Sequence, residues 1–100
     1  MAKGYWIARV AVKDQALYEE YRRHNAVAFA KFGGRFIVRG GPFESIGTSK
    51  PHNVVLEFPS IEAAKACYAS PEYQAAKQYL LRGCEVDLVV IEGYDGQQPA

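Results

Sequence analysis

The chain has 100 residues, of which 49% are hydrophobic and 23% are charged, and this fits one globular domain with a single core. A net charge of +1 without any basic run excludes the electrostatic pattern of a nucleic-acid-binding protein. The sequence shows no signal-peptide pattern, no apolar run near the ~20 residues of a membrane span, and no metal-site or disulfide spacing at its two cysteines. We therefore expect a cytoplasmic protein that binds no nucleic acid, membrane, metal or cofactor.

The first two predicted elements are a strand and a long helix. Residues 5–12 are rich in aromatic and β-branched side chains, which is typical of a strand. Asp14 is a suitable N-cap for the helix. We expect the helix to run to about Phe32 and to end at Gly33 in a left-handed C-cap.

A second predicted strand, residues 35–39, lies between two glycine pairs. Because strand side chains alternate between the two faces of a sheet, one face should be apolar and the other should carry charge. The apolar face has Phe36 and Val38, and the charged face has Arg35, Ile37 and Arg39. A turn-rich connection over residues 40–51 leads to a third predicted strand at residues 53–58.

Two short helices follow the third strand. Ser60 is a good N-cap for a helix that runs to about Ala69. Ser70 followed by Pro71 then starts another helix, because proline suits the first helical position, and this helix should end near Gly83.

The last predicted strand, residues 86–92, completes the order β-α-β-β-α-β. Right-handed crossovers turn this order into an α+β, ferredoxin-like fold. We expect a four-stranded antiparallel sheet of spatial order 4-1-3-2, with the helical segments on one face. The domain should cover residues 1–96, and residues 97–100 should form a flexible polar tail, because they carry too little apolar surface to fold.

The sheet face turned away from the helices is predicted to mix charged and apolar side chains. In spatial order the charges are Glu92, Arg9, Glu57 and Arg39. Opposite charges on neighbouring strands stabilise a sheet by roughly 0.2 to 1 kcal/mol per pair, so we predict an ionic ladder. The apolar side chains on this face are Ile7, Ile37, Val55 and Val90. A chain this short has no second layer to cover them, so we predict a homodimer.

The connection over residues 40–51 carries two large apolar residues, Phe43 and Ile46, among glycines, prolines and polar residues. Apolar side chains on an exposed loop need a surface to contact. We therefore predict that this loop clasps the partner subunit. The predicted dimer interface contains Ile7, Arg9, Ile37, Phe43, Val55 and Glu57.

Seven short segments carry a resemblance to a known family. They are GYWI at 4–7, FAKFGGRF at 29–36, VRGG at 38–41, EFPS at 57–60, Tyr68, SPEY at 70–73 and EGY at 92–94. In these segments the chain resembles the domain-of-unknown-function family thirteen-thirty of the dimeric α/β-barrel superfamily. The resemblance implies a homodimer whose two sheets form a barrel with the helices outside. It implies no activity, although related superfamily members include cofactor-independent oxygenases, isomerases and haem enzymes with sites between sheet and helices.

Two residues of the first helix are candidate catalytic residues. At about 100° per residue, Asn25 falls near the centre of the apolar stripe and His24 falls at its edge. An imidazole can act as an acid or a base near neutral pH. Each residue also has a structural interpretation, which is a buried hydrogen-bonding amide for Asn25 and half-exposed packing for His24.

The candidate substrate-binding residues are Trp6, Arg39, Tyr68 and Tyr73. The aromatic side chains have polar ends that can reach a pocket, although the core is their usual place. If Arg39 has no ion-pair partner in the charge ladder, it can bind a substrate carboxylate through two hydrogen bonds. His52 stands alone at the start of the third strand and is not nominated as a haem ligand.

Two functions remain open from the sequence. The first is a cofactor-independent enzyme of the oxygenase, isomerase or lyase class that acts on a small organic molecule. The alternative is a non-catalytic binding or interaction module. The sequence has no nucleophile–base pair, phosphate-binding loop or metal spacing that decides between them.

Overall fold

The structure, a computed structural model, describes residues 2–99, so Met1 of the predicted domain and Ala100 of the predicted tail lie outside the described residues. Within this range the chain forms four strands and three helices. They are β1 (Gly4–Val12), α1 (Gln15–Phe32), β2 (Arg35–Arg39), β3 (His52–Phe58), α2 (Ile61–Ala69), α3 (Pro71–Gly83) and β4 (Cys84–Glu92). None of the helices in residues 2–99 has both the length and the apolar character that a membrane crossing requires.

The four strands form one antiparallel sheet of order β2-β3-β1-β4, which confirms the predicted ferredoxin-like order 4-1-3-2. The helices pack on one face of this sheet, and the core lies between the two layers. Its most deeply buried large side chains are Trp6, Phe58, Cys67 and Tyr73. The division between domain and tail at residue 96 stays a prediction.

Local capping interactions set the helix ends at the predicted residues. The Asp14 carboxylate accepts a hydrogen bond from the Leu17 N–H, and Gly33 takes the left-handed conformation with φ of 75°. Between α2 and α3, the Ser70 hydroxyl donates to the Cys67 carbonyl at 2.7 Å and accepts from the Tyr73 N–H at 3.1 Å. This double capping fixes the turn between the two helices and so sets where Tyr73 enters the core.

Strand β2 contains a β-bulge that corrects one prediction from the sequence. Phe36 pairs with Leu56, Val38 with Val55 and Arg39 with Val54, so the register shifts at Ile37. A bulge adds one residue to a strand and reverses the alternation beyond it. The placement of Val38 beneath the helices and of Arg39 on the opposite face was therefore wrong. Val38 is 43% exposed on the open face, and Arg39 turns toward the helices.

Strand β4 corrects a second prediction. Val90 pairs with Trp6, and Glu92 pairs with Gly4, so both stand on the helix side and not on the open face. Val89 and Ile91 take the open face instead and are 51% and 47% exposed. Residues 88–91 of β4 are apolar at both odd and even positions, so the sequence pattern does not indicate which positions face the helices.

The predicted ionic ladder is replaced by a different set of contacts on the open face. Glu57 accepts hydrogen bonds from Arg35 Nε and from the Tyr5 hydroxyl, both at 2.9 Å. Arg9 stands in register between Asn53 and Asp87. The hydrogen bond from Arg35 and then that from Tyr5 hold the pKa of Glu57 below its usual value.

The open face carries a broad apolar surface among the described residues. Its large apolar side chains are Ile7, Ile37, Val38, Val55, Val89 and Ile91. Apart from Val55, which is half-buried, each is at least 41% exposed. The backbone spans only 16 Å in its thinnest direction, as expected for one sheet and one helical layer.

Candidate functional site

A cavity of about 670 Å³ lies between the helices and the sheet. This volume falls within the roughly 300 to 1,000 Å³ that is typical of small-molecule sites. Apolar walls come from both layers, with Val10, Leu56 and Leu88 on the strands and Phe29 and Leu80 on the helices. The cavity therefore offers a mostly apolar environment in which a few polar groups can fix the orientation of a ligand.

Trp6 forms the aromatic wall of the cavity. Its ring meets the edges of Tyr68 and Tyr73, with centroids 5.8 and 4.8 Å away. Its indole N–H donates to the Ala64 carbonyl at 2.9 Å, so the polar end of Trp6 is bound by α2. This hydrogen bond occupies the only polar atom of the Trp6 side chain, so Trp6 contributes apolar ring surface to the cavity lining.

A buried polar cluster of Asn25, Tyr21 and Tyr73 lines the same cavity. The hydroxyls of Tyr21 and Tyr73 lie 2.9 Å apart, and Asn25 is 7% exposed one helical turn after Tyr21. Burial raises the pKa of Tyr21 to about 12, although hydrogen bonds from Tyr73 and Asn25 oppose the shift. Burial and then Tyr21 also raise the pKa of Tyr73. Both phenols are therefore neutral near pH 7. One hydroxyl of the pair donates to the other, and the hydroxyl that accepts keeps its own O–H as a donor for a ligand.

His52 lines another part of the cavity, together with Arg22 and Arg39. Its ring lies edge-on to Tyr18 with a centroid distance of 5.7 Å. Burial, and then the positive charges of Arg22 and Arg39, lower the pKa of the His52 imidazole. Because an unperturbed imidazole has a pKa of about 6.5, His52 is neutral at pH 7 and can accept a proton.

Gly40 makes room for the imidazole of His52. It has φ of +67°, and a Cβ at this position would lie 2.5 Å from His52 Cε1. Its N–H also donates to the Asn53 carbonyl at 2.8 Å, which ties the end of β2 to the start of β3. A side chain at residue 40 would therefore strain the backbone and displace His52.

Tyr68 and Lys77 complete the polar lining. The Lys77 ammonium lies 3.4 Å from the Tyr68 hydroxyl and 5.0 Å from the centre of its ring. Tyr68 is half-buried, so one part of its ring faces the core and its hydroxyl reaches the polar lining. The predicted substrate-binding residues Trp6, Arg39, Tyr68 and Tyr73 thus all line one cavity.

His24 lies outside this cavity. It is exposed on α1, its ring stacks on Tyr79 at 5.0 Å, and its Nε2 lies 3.6 Å from Glu20. Its neighbour Asn25 points inward because adjacent helical residues are about 100° apart. The two predicted catalytic residues are therefore not brought together, and we assign no catalytic role to His24.

Three cavity residues were missed by the sequence interpretation, although the sequence contained a signal for each. His52 has the same strand parity as Val54 and Leu56, which pointed to the helix side. Tyr21 lies one helical turn before Asn25, so the same periodicity places it on the apolar stripe of α1. Arg22 lies outside this stripe or at its border.

Neither cysteine resembles a nucleophile. Cys67 is fully buried, and burial raises the pKa of its thiol to about 12. Burial also raises the pKa of Cys84. Across the described range, no three His, Cys, Asp or Glu side chains gather into a group that could hold a metal ion.

The loop over residues 40–51 lies beside the open face. Phe43 and Ile46 border a small hollow of about 170 Å³ together with Arg9 and Asn53. Phe43 is 53% exposed and Ile46 is 98% exposed. At the far end of the loop, Lys50 forms an ion pair with Asp87 of β4. The predicted contact of Phe43 with a partner subunit stays a prediction.

The chain belongs to the family described as Domain of unknown function (DUF1330), whose family model matches residues 3–94. This confirms the resemblance inferred from the sequence. No curated protein matches the chain.

Several solved structures share the fold. A protein of unknown function from Rhodopseudomonas palustris is 17% identical, with a TM-score of 0.75, over 95% of this chain and 85% of that chain. SnoaB, a cofactor-independent oxygenase from Streptomyces nogalater, is 14% identical, with a TM-score of 0.67, over 99% and 97%. A dimeric ferredoxin-like protein of unknown function from Jannaschia sp. CCS1 is 14% identical, with a TM-score of 0.64, over 90% and 98%. At these identities the matches show a common fold.

Proposed function

We propose that this protein is a homodimeric enzyme that binds a small organic molecule in the helix–sheet cavity and transforms it without a bound cofactor. The observation that carries the proposal is the Asn25, Tyr21 and Tyr73 cluster inside an otherwise apolar cavity of about 670 Å³. Such neutral donors stabilise an oxyanion that develops on a bound carbonyl or phenol. This chemistry serves oxygenases, isomerases and lyases.

His52 is the candidate proton acceptor in this proposal. It is neutral near pH 7, because burial and two nearby arginines lower its pKa, and it lines the same cavity as the donor cluster. A neutral imidazole removes a proton from an acidic carbon or hydroxyl, and the donor cluster holds the resulting negative charge. SnoaB, which has this fold, is a cofactor-independent oxygenase, and this supports the reaction class by analogy.

The homodimer in this proposal forms through the open sheet face. Ile7, Val38, Val89 and Ile91 are exposed there in the single chain, and no element among residues 2–99 covers them. A structural neighbour from Jannaschia is a dimer, which supports the same assembly. We expect an obligate interface that buries on the order of 2,000 Å² or more. Sedimentation at micromolar concentration should give the mass of two chains, and a folded monomer would contradict the proposal.

A non-catalytic binding module is the second candidate. One observation favours it: the hydroxyls of Tyr21 and Tyr73 bond each other at 2.9 Å, as they would in a purely structural network. In a binding module, Tyr73→Phe would lower the free energy of unfolding, and neither wild type nor the variant would catalyse a reaction. In an enzyme, the same change removes the partner that orients the Tyr21 hydroxyl and lowers kcat more than it raises KM.

The first experiment asks whether the cavity admits a ligand. The neutral dye phenylnaphthylamine is titrated while the emission of Trp6 is followed, because the single tryptophan of the chain lies in the cavity wall. Ala8→Leu adds bulk to the cavity lining, and Ala11→Leu adds the same bulk on the opposite face of β1. We expect Ala8→Leu to weaken binding by about 10-fold or more and Ala11→Leu to leave it unchanged.

The second experiment asks for turnover. A panel of phenols and aromatic ketones is incubated with the protein under air and under nitrogen, and products are detected by mass spectrometry. Wild type should form a product that Asn25→Leu and His52→Gln fail to form, while His24→Gln retains activity. If the dye binds but no product forms with any compound, the binding-module alternative holds.

A further inference from the structure

We infer that the ligand of this cavity is an organic anion, and that Arg22 and Arg39 bind its acidic group beside His52. The inference rests on the proposed function, because it assumes that the cavity takes a small molecule. It goes further by stating the charge of that molecule and by naming the residues that select it.

The charges that line the cavity are all of one sign. The chain as a whole is balanced, with 12 Lys and Arg residues against 11 Asp and Glu residues. The cavity lining nevertheless contains Arg22, Arg39 and Lys77 and no carboxylate. Because the overall composition is neutral, this segregation is a local property of the site. A concave surface lined by one sign of charge raises the local concentration of ligands of the opposite sign.

Arg39 is positioned to recognise a planar acid. Among residues 2–99, no carboxylate lies within ion-pairing distance of its guanidinium, which lies 4.1 Å from the centre of the Phe36 ring. A guanidinium bound to an aromatic ring in this way keeps N–H donors for a carboxylate, which it binds with two parallel hydrogen bonds. The bulge at Ile37 turns this side chain toward the cavity instead of toward the open face.

Arg22 reaches the same region from α1. Its nearest carboxylate is Glu19 at 3.7 Å, and both side chains are 45% exposed. An exposed pair of this kind is weak, so Glu19 leaves most of the electrostatic influence of Arg22 in place. Arg22 and Arg39 both lower the pKa of His52 and both oppose the rise in the pKa of Tyr18, so their fields converge on one place.

The other residues of the cavity lining indicate which further groups the ligand has. Besides the arginines and Lys77, the lining is aromatic and aliphatic, and it includes the neutral polar groups of Asn25, Tyr21 and Tyr73. A matching molecule has an acidic group at one end, an apolar body, and a carbonyl or hydroxyl oxygen for the donor cluster. Aromatic carboxylates with a further oxygen substituent are the simplest class with this pattern.

The test uses two dyes with nearly the same skeleton and different charge. Anilinonaphthalene sulfonate carries an anionic group, and phenylnaphthylamine lacks it. Each is titrated against the intact protein by dye emission and by quenching of Trp6, and the part of the signal that Ala8→Leu removes is assigned to the cavity. We expect Arg39→Gln to weaken sulfonate binding by about 10-fold or more and to change binding of the neutral dye by less than about 2-fold.

Matched variants separate the two arginines from general charge. Arg22→Gln should act in the same direction as Arg39→Gln. Arg35→Gln removes a positive charge from the same strand as Arg39, but on the open face, and should leave both dyes unaffected. If Lys77→Gln alone weakens sulfonate binding, the assignment to the arginine pair is wrong.

A salt titration of wild type gives a readout that does not depend on variant folding. Raising the salt concentration should weaken sulfonate binding and leave the neutral dye unchanged, because screening acts on charge. If neither dye quenches Trp6, the proposed function itself fails. If both dyes bind with equal affinity and respond equally to salt and to Arg39→Gln, the cavity stands and the anion inference is overturned.

Discussion

The helix side of the sheet and its open side are built from the same four strands, yet they differ in what covers them. On the helix side, Leu56 and Phe58 are buried by helices of the same chain. On the open side, Ile7 and Val89 stand opposite each other and remain exposed. This difference shows that a sheet face can be apolar for two reasons: it packs in the core of its own chain, or it forms an interface with another chain.

The largest expected effect comes from a substitution in the core on the helix side of the sheet. Phe58 is 1% exposed and packs on Trp6 at 5.4 Å between ring centroids. Phe58→Ala should lower the free energy of unfolding by about 3 to 5 kcal/mol, because it removes buried surface and leaves a cavity. Chemical denaturation at a fixed protein concentration measures this. A loss below about 1 kcal/mol would show that this part of the core is loosely packed.

The next largest effect is expected from a substitution on the open side of the sheet. Val55 pairs with Ile7 across β1 and β3 and lies at the centre of the proposed interface. Val55→Asp should weaken dimerisation by about 100-fold or more, roughly 2.7 kcal/mol, because it places an unpaired charge in an apolar contact. Val55→Thr, which has nearly the same shape without the charge, is the control. Sedimentation across a range of protein concentrations measures the mass of wild type, Val55→Asp and Val55→Thr. If all three have the same mass at every concentration, this face is not the interface.

A smaller effect is expected from the loop that borders the open side. If Phe43 and Ile46 contact the partner, replacing both by serine should weaken dimerisation by roughly 1.5 to 3 kcal/mol, the value of burying one large apolar side chain. Ser45→Ala with Thr48→Ala is the matched change in the same loop. Dimer dissociation is the measurement, and an unchanged constant would mean that the loop makes no intersubunit contact.

The smallest effect concerns the ion pair on the open side. Arg35 and Glu57 lie 2.9 Å apart, so the stability losses of Arg35→Ala and Glu57→Ala should sum to more than the loss of the double variant. The folded-state pKa of Glu57 is lowered, so this contribution is present above its unfolded pKa of about 4.3 and is lost as the pH falls through the folded value. Arg35→Ala should therefore flatten the stability profile at acid pH. Strictly additive losses would show that the pair does not couple.

The fold was predictable because its signals are local. Asp14, Gly33 and Ser70 cap their helices through contacts three or four residues away, and the sequence shows both partners of each contact. Once the element order was known, the handedness of the crossovers fixed the strand order. Pairing partners far apart in the chain were not needed for these steps.

The site was only partly predictable because its geometry depends on pairing between strands. The bulge at Ile37 arises from the match of β2 to β3, and it decides that Arg39 lines the cavity. Asn25 was found because a helical stripe is readable from one segment. His52 was missed because the predicted third strand began at residue 53, so His52 was not counted in the alternation that it shares with Val54 and Leu56.

The bulge in β2 has a consequence for how the two sides of the sheet can change. Ile37 and Val38 together stand opposite the single residue Val55, and regular pairing resumes at Arg39. Deleting Ile37 would leave Phe36 and Arg39 in their present positions and would remove one aliphatic side chain from the other side. The extra residue thus lies on the side proposed for assembly, whereas Arg39 lies in the cavity lining. Under the two proposals, the contact area at the edge strand can change while the Arg39 guanidinium keeps its position in the cavity.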